Sequence, residues 1–399
     1  MTLTLRQKEV ATGLFGILFF FGGFMTAELA LRIAQYMRFG GQEVVAAPKA
    51  PAKQDGVKKN RQNGFYTDPN TGLRLPYPNQ KLGQVRINNF GFRGPDLPSS
   101  KATDTFRLAF LGSSTTYDAD VAEGKNWPEQ VARQLARRVS GCRVDFVNAG
   151  LPGFSTEHME RYWRGTVRRF DADAVIVLPG DMTADIQKAA KLTNHNTGQH
   201  IRKSWLARYS LLWEKIEKNA AVIKAQRVAY RENGKLQPDF DTLRTDFGRR
   251  LASLIETTRG DGVFTAVATI SSHVRADMPR EKQLEAADSA LFYMPYISIP
   301  TLIRGQGFYN ETIRTIVGGS GAQLIEIGDL VPADSEHFVD SRHFNAAGSA
   351  LMATRVVDEL LKSPQFRATL QNHPSGCFIQ EQPIGDATSD LFPPMLVRL

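Results

Sequence analysis

Apolar and polar positions follow three different rhythms along this chain. From Val10 to Ala27 the run VATGLFGILFFFGGFMTA carries no charge. At about 18 residues it is long enough to cross a hydrocarbon core. The helical pattern continues through Glu28, Leu29, Ala30, Leu31 and Ile33 without a small-residue cleavage site, which argues against a removed signal peptide. A buried core helix fits less well, because the segment is N-terminal and apolar all round. The pattern predicts a cytoplasmic tail at 1–9 and an uncleaved transmembrane anchor at 10–37. A linker rich in Ala, Pro, Lys and Gln follows at 38–64, then a lead-in of short strands and turns at 65–104, punctuated by Gly, Pro and Asn.

From residue 105 the rhythm changes to strand, helix, strand, helix. Predicted strands cover Phe106–Leu111, Arg143–Val147, Ala174–Leu178, Val263–Ile270 and Gln323–Ile327. Most are continuous apolar runs, the mark of a parallel sheet covered on both faces. Helical spacing marks Trp127–Val139, Thr156–Phe170, Leu243–Thr257, Phe308–Val317 and Ala346–Leu361. The expected fold is a doubly wound α/β domain over 105–362, a three-layer sandwich on a five-stranded parallel sheet, with a C-terminal tail at 363–399. A helical insertion at about 186–244 exceeds an ordinary crossover. Within it, Trp205–Tyr230 reads as one helix with Leu206, Tyr209, Trp213, Ile216, Ala220 and Ile223 on one stripe. That stripe packs on the domain, or meets a partner or membrane surface.

Charge adds one feature. The 399 residues carry a net charge of +8, and up to Asp104 there are 14 Lys/Arg against 7 Asp/Glu. Solvated surface is the plain explanation. Contact with anionic lipid or an acidic polymer is the sharper one. No nucleic-acid-binding motif accompanies the charge, so nucleic acid is not an expected partner. Positive residues flank the apolar run on both sides, Arg6 and Lys8 before it, Arg32 and Arg38 after it. A single N-terminal anchor ahead of a large domain usually leaves that domain outside the cytoplasm. The expected location is therefore the inner membrane, with the domain on the periplasmic side. Cys142 and Cys377 either pair in an oxidising compartment or remain two separate thiols.

The candidate chemistry begins where the first strand empties into Ser113, Ser114, Thr115 and Thr116. A serine needs a base to remove its proton. Asp340 and His343, three residues apart ahead of the last helix, can present an oriented imidazole. Glycines after the second strand (Gly150, Gly153) and the third (Gly180) allow close backbone approach. Taken alone, the hydroxyl run also reads as a helix cap, and Asp181 as the cap of the helix after strand three.

The region Thr105–Leu361 resembles the SGNH (GDSL-type) hydrolase family. Four blocks stand in the family's order: Gly112-Ser113-Ser114, Asn148 to Gly153, Pro179 to Met182, and Asp340-Ser341-Arg342-His343. The run INNFGFRGPD is similar to a lead-in of membrane-anchored bacterial members. The resemblance implies Ser114 as nucleophile, His343 as base, Asp340 as its orienter and Gly153 as oxyanion donor, with no metal or organic cofactor. Two positions depart from it. Ser113 stands for the usual aspartate, and Asp181 stands where the family has asparagine. An ionised carboxylate repels an oxyanion, so Asp181 serves there only when protonated. Otherwise the hole retains the Ser114 and Gly153 N–H groups. The implied function is a serine esterase or O-acyltransferase acting on acyl esters of an envelope polysaccharide or lipid. The alternative is a catalytically impaired scaffold or carbohydrate-binding subunit docked to a membrane-protein partner.

Overall fold

The computed structural model describes residues 19–34, 64–193 and 204–380. The expected tail at 1–9, the anchor's ends at 10–18 and 35–37, and the linker at 38–63 lie outside these residues, as do 194–203 and 381–399. Residues 19–34 form a helix, α1. Among the described residues no helix is long and apolar enough to cross a membrane.

Two hairpins build the lead-in: β1 (Phe65–Thr67) with β2 (Arg74–Pro76), and β3 (Gln80–Leu82) with β4 (Val85–Ile87). Gly83, at φ 64°, opens the two-residue turn of the second. The main domain starts with β5 (Thr105–Gly112), buried at every position. A single helical turn, α2 (Ser114–Tyr117), follows. Asn126 then starts α3 (Trp127–Arg138) by accepting the Glu129 N–H, with Pro128 in the first turn. Next come β6 (Val139–Ser140), β7 (Arg143–Gly150), α4 (Thr156–Gly165), β8 (Ala174–Leu178) and α5 (Asp181–Leu192). The insertion forms α6 (Trp205–Tyr209) and α7 (Leu211–Gln226). Beyond it lie α8 (Phe240–Gly260), β9 (Phe264–Ala268), α9 (Arg280–Ala286), α10 (Asp288–Tyr293), α11 (Ile299–Ser320) and β10 (Gln323–Ile325). The described chain closes with α12 (Ala346–Lys362), α13 (Pro364–Gln371) and β11 (Phe378–Ile379).

The central sheet is parallel, in the order β10-β9-β8-β5-β7. Alternation along β5 feeds two cores. Phe106, Leu108 and Phe110 meet Trp127, Val131 and Leu135 of α3 and Met352, Val356 and Leu360 of α12. Ala109 and Leu111 face the other way, toward Met159 and Trp163 of α4, Leu251 and Ile255 of α8, and Tyr309 and Ile313 of α11. β5, the first strand of this sheet in sequence, is therefore internal to it. The chain leaves it toward β7 on one side and returns to β8 on the other, which makes a switch point beyond the ends of β5, β7 and β8.

Three expectations change. The single helix over Trp205–Tyr230 is two helices broken at Ser210, whose hydroxyl accepts the Trp213 N–H. Glu28 of α1 accepts the Ser210 hydroxyl and the Leu211 and Leu212 N–H groups, so a distant carboxylate caps α7. The break shifts the helical phase. Ala207, Val222 and Ala225 are buried, while Tyr209 and Ile223 of the predicted stripe are 77% and 50% exposed. Second, α11 runs well beyond Phe308–Val317 despite Gly305 and Gly307. A Cβ at Gly305 would lie 3.3 Å from the Met182 methyl, so the small residue lets α11 approach α5 closely. Third, residues 363–380 belong to the domain. Phe366 and Leu370 of α13 are buried, and β11 pairs with β6.

The two cysteines form a disulfide, Cys142–Cys377, which clamps that C-terminal segment across a sequence separation of 235. Closing so long a loop restricts the unfolded chain, and removing such a bond typically costs about 2–5 kcal/mol. We expect Cys142→Ser to lower the urea midpoint of the oxidised protein by a corresponding amount. A reductant should then have no further effect on the variant. Equal midpoints for wild type with and without reductant would contradict the constraint.

Candidate active site

The site is built at the strand ends. After Gly112 the backbone turns sharply, and Ser114 becomes the first residue of α2. Three glycines permit this. A Cβ on Gly112 would lie 1.9 Å from the Thr116 hydroxyl, one on Gly150 would lie 2.6 Å from the Tyr117 nitrogen, and one on Gly180 would lie 2.3 Å from the Ser113 hydroxyl. No larger side chain fits at the ends of β5, β7 or just past β8 without moving the turn.

Polar side chains brace it from below. Buried Asn148 donates to the Thr116 carbonyl and accepts the Gly150 N–H. Trp127 Nε1 donates to the Thr115 carbonyl. Arg93, from the lead-in, donates to the carbonyls of Tyr117, Asp118 and Val121. Asp118 takes φ 55° as the C-cap of α2 and accepts the Ser349 hydroxyl at 2.5 Å. Burial pushes its carboxyl up to about 7, against the pull of Ser349 and Arg93.

The other half comes from the loop before α12. Asp340 Oδ1 accepts the backbone N–H groups of Arg342 and His343, both at 2.8 Å. Its Oδ2 lies 2.9 Å from His343 Nδ1, and His343 Nε2 lies 2.8 Å from the Ser114 hydroxyl. Asn345 then caps α12 through the Ala347 and Gly348 N–H groups. Six residues thus orient a carboxylate, present an imidazole and start a helix. Burial opposes the Asp340 charge, but the His343 and backbone hydrogen bonds prevail and hold the carboxyl at about 2. Burial likewise opposes the imidazolium, yet Asp340 raises His343 above the ordinary imidazole range, and Arg342 partly offsets this.

Gly153 takes φ 81° in the exposed loop after β7. Among the described residues neither its N–H nor that of Ser114 has a partner. Asp181 sits differently. It is the first residue of α5, fully buried, and its oxygens accept the Thr156 N–H and hydroxyl and face Arg250. Burial raises it to about 6, with Arg250 acting in the opposite sense. The side chain therefore ties the start of α5 to the start of α4.

The structure thus brings Ser114, His343 and Asp340 into one hydrogen-bonded row and commits Asp181 to the interior. The expectations missed Arg93, Asn148, Asp118 and Arg342. Arg93 and Asn148 lie within quoted runs, but nothing in those runs indicates that they hold the nucleophile's turn.

A serine, an imidazole and a carboxylate in this order at the switch point of a parallel sheet are the working parts of a serine hydrolase. Residues 110–351 match the model of the GDSL-like lipase/acylhydrolase family, and the chain belongs to that family. No curated protein matches the chain. Among solved structures it is similar to the psychrotrophic esterase EstA of a Pseudoalteromonas species at 12% identity, covering 64% of this chain and 97% of that one, TM-score 0.37. TesA gives 12%, 64%, 97% and 0.39. An acetylxylan esterase of Geobacillus stearothermophilus gives 13%, 64%, 93% and 0.41. Likenesses this distant say nothing of substrate.

A catalytic base must be neutral, so the rate should rise with pH through the His343 titration, above the ordinary histidine value near 6.5. Asp340→Asn removes the group that raises it. It should move that limb to lower pH and cut kcat by about 100- to 10,000-fold; an unmoved limb would show that Asp340 does not set it. Arg93→Met leaves buried carbonyls unpaired and should destabilise the fold by about 3–5 kcal/mol in thermal or urea unfolding.

Proposed function

We propose that the chain is a membrane-anchored serine esterase or O-acyltransferase, facing the periplasm and acting on acyl esters of an envelope polysaccharide or lipid. The row Asp340–His343–Ser114 carries this reading. Ser114 Oγ attacks the ester carbonyl while His343 Nε2 takes its proton. The oxyanion is received by the Ser114 and Gly153 N–H groups. As the carbon–oxygen bond to the alcohol breaks, the leaving oxygen takes the proton from Nε2. Water, or a hydroxyl of the acceptor, then gives its proton to Nε2 and attacks the acyl-enzyme. Ser114 departs with the proton returned. Water makes the protein an esterase; an acceptor hydroxyl makes it a transferase.

The disulfide supports an oxidising compartment. Support for the membrane comes from α1 and the insertion. Phe19, Phe20, Phe21 and Met25 are exposed on α1, and Arg32 of the same helix donates to the Tyr209 carbonyl. Trp205 and Tyr209 are exposed beside it, side chains suited to a membrane interface. Asp181 favours a second reading, a scaffold with impaired chemistry, because at the strand end where the family has a neutral donor this side chain is turned to Thr156 and Arg250 and donates nothing to an oxyanion.

A serine-reactive phosphonate separates the two. The full-length protein should be labelled, and Ser114→Ala should lose the label; absence of labelling of the wild type at any pH between 5 and 9 supports the scaffold. Asp181, turned to Thr156 and Arg250, should not gate the reaction: labelling should show no fall as pH rises past about 6. On fractionation the protein should stay with membranes after alkaline carbonate. Release into the soluble fraction would remove the anchor from this reading.

A further inference from the structure

The buried guanidiniums of this domain are well supplied with acceptors. Arg107 holds Asp145 and the Phe170 carbonyl. Arg93 holds three backbone carbonyls, and Arg250 holds Asp185 at 2.6 Å. Arg342 differs. It lies between Asp340 and His343, partly buried, and its Nη2 meets only the Met182 sulfur, at 3.3 Å. A thioether is a weak acceptor, and a guanidinium carries five donors. Among the described residues Arg342 has no carboxylate within ion-pair distance.

Its position adds to this. Met182 is in the first turn of α5, two residues past Gly180, which packs on Ser113 beside the nucleophile. The guanidinium therefore meets the helix that starts at the strand end flanking the Ser114 turn, and its charge opposes protonation of His343, whose imidazole touches Ser114. No side chain caps α5 there, so the amino end of the helix contributes further positive potential. The one carboxylate at that end, Asp181, is occupied by Thr156 and Arg250. Burial also pulls the Arg342 pKa down, with Asp340 opposing. Leaving a desolvated cation unpaired is costly, and a bound anion relieves that cost.

We infer that the Arg342 guanidinium is the anion-binding group of this site and takes a negatively charged oxygen of the substrate beside Ser114. The oxygen has two sources: the oxyanion formed when Ser114 attacks, or a carboxylate or phosphate carried by the ester's own polymer or lipid. This rests on the acyl-transfer reading above.

Two phosphonate esters test it on the full-length protein in detergent, one neutral and one bearing a carboxylate on its alkyl chain. Arg342→Met should slow labelling at least about tenfold, with Arg342→Lys recovering part of the rate and thermal melting reporting the fold of each variant. Equal slowing with both probes assigns the tetrahedral oxyanion, and greater slowing with the carboxylate probe assigns the substrate's own charge. Wild-type rates with both probes in Arg342→Met would overturn the inference. A second comparison does not depend on turnover: calorimetric binding of glucuronate to Ser114→Ala should weaken at least about tenfold when Arg342→Met is added. Equal or absent binding in both proteins rules out the substrate's own charge and leaves the oxyanion arm to the labelling comparison. If neither probe labels the wild type, the serine-hydrolase reading fails and the binding comparison alone decides this one.

Discussion

The structure depends on the close approach of three strand ends. β5, β7 and β8 converge with Gly112, Gly150 and Gly180 where a Cβ would collide with the Ser113–Tyr117 turn. Because those positions are bare, the chain can reverse from a buried strand into a one-turn helix and leave a hydroxyl at its start. The hydrogen bonds of Asn148, Trp127 and Arg93 then lock a turn that packing has already shaped.

Around that constraint the domain divides its work. The two apolar layers fix the height of the sheet, and the loop before α12 supplies the imidazole from the far end of the chain. Asp340 serves three groups at once: two backbone N–H groups that shape the loop, and the imidazole that the loop presents. The same carboxylate thus sets the geometry and the basicity of His343. Further from the chemistry, the disulfide fastens α13 and β11 to the β6 edge, and Glu28 fastens α1 to the broken insertion. Both are long-range cross-links made by segments near the two ends of the described chain.

Charge is distributed in the same economical way. Buried Arg107 and half-buried Arg250 are cations neutralised within the fold. Arg342 is left facing a thioether of α5, the helix that starts at the strand end beside the nucleophile. Asp181 was read from its neighbours in sequence as part of the oxyanion edge, yet in the fold it is an internal tie between α4 and α5. Its side-chain direction is set by Thr156 and Arg250, which lie 25 and 69 residues away.

The sequence by itself determined the order and type of the main elements, because continuous apolar runs and fourfold spacing are local signals. Ala174–Leu178 was read with its observed bounds, and the Asp340–His343 spacing was legible because the motif is compact and directly precedes a helix. What tertiary structure decided were facts that need two distant segments at once. The disulfide, the capping of α7 by Glu28 and the phase break at Ser210 all depend on partners more than 180 residues apart or on a cap that periodicity does not register. The same holds for the length of α11, where Gly305 is tolerated because α5 packs against it. Local pattern specifies which face a residue occupies; only packing specifies what that face meets.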